Sequence, residues 1–277
     1  MKMNREEKIT SLKGKEKYEF ADLLTVMELL RSPGGCPWDM EQDHKSIRED
    51  FIEETYEVIE AIDTENPTLL CEELGDVMLQ VVFHSRIEEE KGVFDMSDVI
   101  TGVCTKLIHR HPHVFGDISV SSSEQVLSNW EKIKSDEKER KTVTDKLRAI
   151  PPQLPALMRA TKVGKKAKCF DFANKEEVLV KLDEEKNELL DAISEGNSDA
   201  VEEEMGDYLL TVTSLCRKLG VNPENALNRA TNKFIDLFEQ VENAVAQKGL
   251  DMGELSMIEL DAIWDENKRK IEKNNKK

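Results

Sequence analysis

The stretch EETYEVIEAIDTENPTLLCEELGD, residues 53–76, recurs without a gap as EEKNELLDAISEGNSDAVEEEMGD, residues 184–207. Corresponding positions lie 131 residues apart, from 53 to 184 and from 76 to 207, and ten of the 24 aligned residues are identical. Composition alone would give roughly one or two identities, so chance does not explain the match. A repeat in fixed register predicts that the chain builds the same structural unit twice.

The first copy has the pattern of two helices that return antiparallel. Apolar residues from Ile47 to Asp63 recur at helical spacing, which predicts an amphipathic helix. The next helix is predicted to begin at Asn66 and Pro67, because Asn caps a helix and Pro suits its first turn, and to run to about Glu90. The short link between them forces a hairpin. Glycine and proline are sparse and bunched, so the sequence predicts an all-α fold.

Length and local composition predict two domains. A chain of 277 residues can supply two hydrophobic cores of roughly 100 to 150 residues each. The stretch 135–145 is highly charged, and IPPQLP at 150–155 cannot continue a helix. We therefore predict four segments: charged N-terminal residues 1–19, a first helical domain at 20–140, a linker at 141–155 and a second helical domain at 156–277.

Charge and cysteine content narrow the class of partner and the compartment. The net charge of −18 argues against a nucleic-acid polymer or an anionic membrane as partner, because such surfaces are bound mainly through excess Lys and Arg. The five cysteines form no C-x-x-C pair, so neither a disulfide framework nor a zinc ribbon is expected. No apolar run approaches the length of a membrane span or a signal-peptide core, and we expect a cytoplasmic protein.

Two pairs of acidic residues in the hairpin predict a metal site. On a helical wheel, Glu54 and Glu57 lie together at the edge of the apolar stripe, and Glu73 and Asp76 keep the same spacing on the second helix. Four converging carboxylates repel one another unless their pKa values rise or a cation lies among them. Ligand sets made of oxygen alone favour Mg²⁺ or Mn²⁺. Because both pairs recur in the second copy, we prefer this interpretation to a solvated acidic surface.

For the histidines near the hairpin, the sequence favours structural roles over metal binding. A di-iron carboxylate site needs E-x-x-H on two helices, and only Glu41 to His44 has that spacing. His84 shares a wheel face with the acidic pair of its helix, but its counterpart in the second copy is Leu215. We therefore predict that His84 is a packed or hydrogen-bonded histidine.

One glycine interrupts the second helix of each hairpin. Gly75 and Gly206 lie inside predicted helices, where glycine costs about 1 kcal/mol relative to alanine. The wheel places each on the side away from its own acidic pair. We expect another helix to pack closely against each glycine.

These motifs resemble those of the MazG-type nucleoside triphosphate pyrophosphohydrolases, whose signature is E-E-x-x-E followed after a spacer by E-x-x-D. The likeness covers nearly the whole chain from about Phe20 and includes CPWD at 36–39, RHPHVF at 110–115, LPALM at 154–158 and NKF at 232–234. The resemblance implies a tandem all-α fold that dimerises through its helices. It also implies Mg²⁺-dependent hydrolysis of NTPs and dNTPs to the monophosphate and pyrophosphate.

The resemblance further implies a role for individual residues. Glu53 and Glu184, the first acids of the two signatures, are candidates for the general base or for support of the ligands. The expected metal ligands are Glu54, Glu57, Glu73 and Asp76 in the first unit and Glu185, Glu188, Glu204 and Asp207 in the second. The expected substrate contacts are Trp38, Arg110, His111, Lys168, Lys233 and Trp264, with core packing as the alternative for the tryptophans.

Two basic positions of the family pattern are absent from the second unit. Ala200 stands where a lysine precedes E-x-x-D, and Leu237 stands where an arginine follows N-x-K-F. We therefore expect the first unit to carry more of the activity than the family pattern implies. Two alternatives stay open: a narrower all-α pyrophosphatase of the dUTPase or phosphoribosyl-ATP kind, and a non-catalytic nucleotide-binding regulator.

Overall fold

The computed structural model describes residues 3–137 and 142–274. Across these ranges every regular element is an α-helix or a short 3-10 helix, and no strand is present, which confirms the all-α prediction. Residues 138–141, which include the predicted junction of first domain and linker, lie outside the described part. None of the described helices is long and apolar enough to cross a membrane.

The chain divides into two compact units, Met1–Lys134 and Ser135–Lys277. Eight helices precede the gap at residue 138: α1 Arg5–Lys13, α2 Phe20–Arg31, α3 Pro37–Glu41, α4 Arg48–Asp63, α5 Pro67–Glu90, α6 Met96–Arg110, α7 Pro112–Phe115 and α8 Ser123–Glu137. The predicted N-terminal segment therefore contains a helix, α1. The Arg5 guanidinium joins it to the end of α2, where it donates a 2.6 Å hydrogen bond to the Gly34 carbonyl oxygen.

Helices α4 and α5 form the predicted hairpin of the first unit. Ile47 precedes α4, and the Asn66 side chain caps α5 by accepting hydrogen bonds of 3.2 Å from the backbone N–H groups of Thr68 and Leu69. Pro67 takes the first helical position, where its missing N–H costs nothing. The core that supports the hairpin is made by Met27, Ile47, Val82, Phe83 and Ile87.

Six α-helices lie in residues 142–274, the described stretch of the second unit. They are α9 Val143–Arg148, α10 Ala156–Lys166, α11 Lys175–Glu195, α12 Ser198–Lys218, α13 Pro223–Gln247 and α14 Met257–Asn274. Helix α9 lies inside the predicted linker. Helices α11 and α12 form the second hairpin, and the Asn197 side chain caps α12 as Asn66 caps α5. Val241, Val245 and Ile263 form a core between α13 and α14.

The turns of the two hairpins share an unusual backbone conformation. Gly196 ends α11 with φ +69°, and its repeat counterpart Glu65 also has a positive φ, +51°. A left-handed conformation suits glycine but brings the Cβ of other residues against the backbone. The first hairpin therefore holds a strained residue where the second holds a relaxed one.

Replacing Glu65 with glycine is expected to stabilise the first unit. The Glu65 side chain is exposed, so relief of backbone strain is the main effect, worth about 1 kcal/mol. We expect Glu65→Gly to raise the unfolding midpoint by roughly 2 to 4 °C in thermal melts of the whole chain. Glu65→Ala keeps the Cβ and should bring no such gain. An unchanged midpoint for the glycine variant would contradict the assignment of strain.

The helix expected to pack against Gly75 and Gly206 is absent from the described part of this chain. A Cβ at either position meets no atom within 4 Å outside its own helix, so the prediction is wrong for the single chain. The reason is that this side of the hairpin faces solvent, as the exposed Leu74 and Met78 show. The helical wheel located the face correctly, but spacing alone did not reveal whether anything covers it.

Candidate metal centre

The first hairpin brings three carboxylates together. Glu54 and Glu57 lie one turn apart on α4, and Glu73 lies near the start of the antiparallel α5. One carboxylate oxygen from each lies within 4.8 Å of those of the other two. Glu73 is only 7% exposed. The short loop between α4 and α5 thus holds like charges close together beside the core.

The second hairpin repeats this arrangement. Glu185 and Glu188 of α11 meet Glu204 of α12, again with one oxygen of each within 4.8 Å of the others. Glu185 is 6% exposed, and so is nearly as buried as Glu73 of the first unit. In each unit the structure therefore brings together three of the four predicted ligands. The fourth, Asp76 or Asp207, follows the glutamate of its helix by three residues and lies outside this close group.

Burial, together with neighbouring acids, raises the pKa values of two carboxyls in the first cluster. Burial is the largest cause for Glu54, followed by the negative charges of Asp76 and Glu57. Burial also leads for Glu73, followed by its hydrogen bond with Glu57. Within the described residues, no salt bridge reaches Glu54, Glu57 or Glu73 to offset their charge. In the part of the chain that the structure describes, the negative charge of the first cluster is therefore not offset by a salt bridge.

A lysine enters the second cluster. Lys181 Nζ lies 2.9 Å from Glu185 Oε1 and 3.9 Å from Glu188 Oε2. Its hydrogen bond to Glu185 is the largest cause of a raised pKa for Lys181. The pKa of Glu204 is nevertheless raised, first by burial and then by the charges of Glu188 and Asp207. The lysine offsets only part of the repulsion.

Both clusters have the chemistry of a site for a hard divalent cation. Their donors are carboxylate oxygens alone, and a cation among them would relieve the repulsion between the charges. Glu53 and Glu184, the predicted base candidates, are exposed at the outer side of their helices. They are therefore more open to solvent than Glu73 and Glu185.

The predicted nucleotide contacts of the first unit differ in exposure. Trp38 is 57% exposed and open to a ligand. Arg110 is only 5% exposed, and its guanidinium lies 5.7 Å from the centre of the Trp130 ring. His111 ends α6 with its Nδ1 2.6 Å from the Leu107 carbonyl oxygen. Arg110 is thus packed into the unit, while Trp38 has the exposure that stacking on a base requires.

The predicted contacts of the second unit also divide into open and packed residues. Lys168 and Lys233 are exposed. Trp264 is half-buried and packs against the α13–α14 core. The centre of its ring lies 5.1 Å from the centre of the Phe234 ring. In this structure Trp264 therefore packs in the core, which was the alternative to substrate contact.

A histidine pair joins the loop before α4 to α5. The two Nδ1 atoms of His44 and His84 lie 2.7 Å apart, and His44 Nε2 lies 2.5 Å from Glu88 Oε1. Burial, followed by the charge of His44, lowers the pKa of His84. The prediction of a hydrogen-bonded His84 is confirmed. The contact between His44 and Glu88 was not predicted, because the two residues lie 44 positions apart in the chain.

The fold and the site together define the class of this protein: it is a tandem all-α protein with an acidic cluster in each hairpin. The model of the MazG nucleotide pyrophosphohydrolase domain matches residues 42–115 and 173–241, which contain the two hairpins. The chain belongs to the MazG family.

Curated relatives cover nearly the whole chain. It is 44% identical to the nucleoside triphosphate pyrophosphohydrolase/pyrophosphatase MazG of Thermotoga maritima, over 90% of this chain and 95% of that protein. It is 42% identical to the nucleoside triphosphate pyrophosphohydrolase of Escherichia coli K12, over 89% of this chain and 96% of that protein. The family resemblance read from the motifs is confirmed.

The raised pKa of Glu73 predicts a pH-dependent stability. Because the charged form is disfavoured in the folded state, Glu73→Gln should raise the unfolding midpoint of the metal-free protein at neutral pH. The gain should vanish below the ordinary carboxyl pKa of 4.5, where Glu73 is neutral in both states, and grow as pH rises towards the raised value. Melts in the presence of a chelator from about pH 4 to pH 8 measure this.

Glu60→Gln provides the matched control for that series. Glu60 is exposed on α4 and belongs to neither carboxylate group, so its loss should leave the midpoint almost unchanged. Equal effects of the two substitutions, or a gain for Glu73→Gln that persists at the acid end, would contradict the repulsion inferred here.

Proposed function

We propose that this protein hydrolyses nucleoside and deoxynucleoside triphosphates to the monophosphate and pyrophosphate with Mg²⁺, or Mn²⁺ in its place. The observation that carries the proposal is the convergence of three carboxylates in each hairpin of a MazG chain. The names of the relatives from Thermotoga and Escherichia support the reaction. Control of the nucleotide pool in the cytoplasm is the corresponding role.

The proposed metal ligands are the acidic pairs of the two hairpins. They are Glu54, Glu57, Glu73 and Asp76 in the first unit and Glu185, Glu188, Glu204 and Asp207 in the second. A bound Mg²⁺ would neutralise charge on the triphosphate and would lower the pKa of the water bound to it. The buried glutamates Glu73 and Glu185 fix the position of their carboxylates, because packing leaves them few alternative rotamers.

Proton transfer is proposed for the exposed acid of each signature. Glu53 in the first unit and Glu184 in the second would accept a proton from the attacking water. The water oxygen forms a bond to the α-phosphorus, the bond from that phosphorus to the α–β bridging oxygen breaks, and pyrophosphate leaves. Basic residues of the same unit would balance the remaining negative charge: we propose His111 in the first unit, with Trp38 beside the base, and Lys168 and Lys233 in the second.

The two units are proposed to differ in activity. Leu237 stands where the family pattern has an arginine, and it is 4% exposed in α13. A buried apolar side chain at this position contributes to the core and cannot contact phosphate. Ala200 likewise offers no charge where a lysine is expected. These losses favour the first unit as the more active one. They are also the features that favour the competing hypothesis, a non-catalytic nucleotide-binding regulatory protein.

A homodimer is proposed from the uncovered apolar faces of the hairpins. Ile52, Tyr56 and Ile59 of α4 are exposed in the single chain. On α5, Leu74 and Met78 flank Gly75, whose missing side chain leaves room for another helix. Large exposed apolar faces on a helical pair are typical of surfaces that a second copy covers.

Removal of one ligand from each unit tests the sites. Glu57→Gln is expected to lower kcat/KM at least about 100-fold, Glu188→Gln to have a smaller effect, and the double variant to abolish turnover, since each replaces a charged ligand by a neutral one. Glu60→Gln is the control on the same helix. Wild-type turnover in the double variant would mean that the reaction occurs elsewhere in the protein.

The products and the position of attack test the reaction itself. In water enriched in oxygen-18, the label is expected in the nucleoside monophosphate and not in pyrophosphate, because attack occurs at the α-phosphorus. A panel of NTPs and dNTPs, separated by chromatography, distinguishes broad use of substrates from preference for a single nucleotide. Release of orthophosphate as the first product would rule out the proposed chemistry.

A further inference from the structure

The two hairpins carry opposite charges at one equivalent position. Lys181 on α11 corresponds to Asp50 on α4 through the same offset of 131 residues that relates Glu184 to Glu53. On both helices this position precedes the three acids of the signature by three, four and seven residues, which places it on their face of the helix. The two copies therefore have the same acids but carry opposite charges at the position beside them.

Lys181 uses its position to enter the second cluster. Its Nζ lies 2.9 Å from Glu185 Oε1, 3.4 Å from Glu184 Oε2 and 3.9 Å from Glu188 Oε2. Glu185 and Glu188 are two of the three acids that converge there. The ammonium group therefore takes up carboxylate oxygens that a divalent cation would need, and any cation bound nearby would be repelled by it.

The first cluster has no such lysine, because Asp50 holds the equivalent position. Asp50 adds a negative charge one turn before Glu53 and Glu54, and among the described residues no lysine or arginine forms a salt bridge with Glu54, Glu57 or Glu73. A cation that approaches this cluster displaces no internal partner.

We propose that the charge at this position makes the two hairpins unequal metal sites, with Lys181 acting as an internal counter-ion that lowers the divalent-cation affinity of the second cluster. The first cluster, with Asp50 in place of the lysine, is the tighter site. At metal concentrations between the two affinities, only the first unit is loaded. The inference rests on the assignment of both clusters as metal sites under the proposed function.

Titration of the metal-free, full-length protein with Mn²⁺ tests the inequality. Free Mn²⁺ is read by electron paramagnetic resonance, so the measurement needs no turnover. The wild type should bind in two classes at least about tenfold apart, of which Glu57→Gln removes the tighter and Glu188→Gln the weaker. If Glu188→Gln removes the tighter class, the inference is overturned.

Substitution of the charged residue itself gives the decisive comparison. Lys181→Gln should tighten the weaker class about tenfold and Asp50→Lys should weaken the tighter class by a similar factor, while Lys181→Arg leaves both classes near wild type. Lys186→Gln is the matched control, because Lys186 is an exposed lysine of α11 that makes no salt bridge among the described residues. It removes the same charge from the same helix and should change affinity much less.

Equal effects of Lys181→Gln and Lys186→Gln would overturn the inference, since general surface charge would then explain the difference. Unchanged Mn²⁺ binding in Lys181→Gln would overturn it as well. Failure of the underlying function gives a different result: Glu57→Gln and Glu188→Gln would then leave both binding classes intact. Thermal melts of every variant separate loss of a site from loss of the fold.

Discussion

Repulsion between carboxylates held beside a hydrophobic core is the constraint on which the rest of this structure depends. The hairpin loop is short, so α4 cannot move away from α5, and Glu73 stays buried opposite Glu54 and Glu57. Ionised acids at such separations weaken the folded state unless a cation joins them. The hydrophobic core therefore has to stabilise this arrangement of acids, and a bound cation would offset their repulsion.

The same repulsion between carboxylates arises in both hairpins, but the two hairpins differ in how it is offset. In the second unit Lys181 supplies part of the missing positive charge from within the chain. In the first unit no described side chain forms a salt bridge with the three acids. Turn geometry diverged as well, because Gly196 relaxes the backbone where Glu65 strains it. Two hairpins with the same acids can thus differ in stability and in chemistry.

The fold and the acidic residues could be predicted from the sequence because the patterns that indicate them are local. Helical spacing, the caps Asn66 and Asn197 and the short links act within a few residues and define each hairpin. A repeat in fixed register added the evidence that both acidic pairs matter. The family motifs then supplied the expectation of a pyrophosphohydrolase, which periodicity could not provide.

Contacts between helices were not accessible in the same way. The wheel placed Gly75 on a distinct face but could not show that the face is open, and it could not show that Arg110 packs over Trp130. The pairing of His44 with Glu88 joins residues far apart in the chain. Each depends on the distance between two elements and on rotamers, neither of which spacing along one helix contains.

The sequence by itself determined that the protein is all-α, that it contains one acidic hairpin twice and which acids lie on each inner flank, because these follow from periodicity and capping. Only the tertiary structure decided that three of four acids meet closely in each unit and that Lys181 enters one cluster. The physical reason is that charges interact through space. Their balance at a site is set by how neighbouring helices and side chains pack, whereas the order of residues sets only which charges are present.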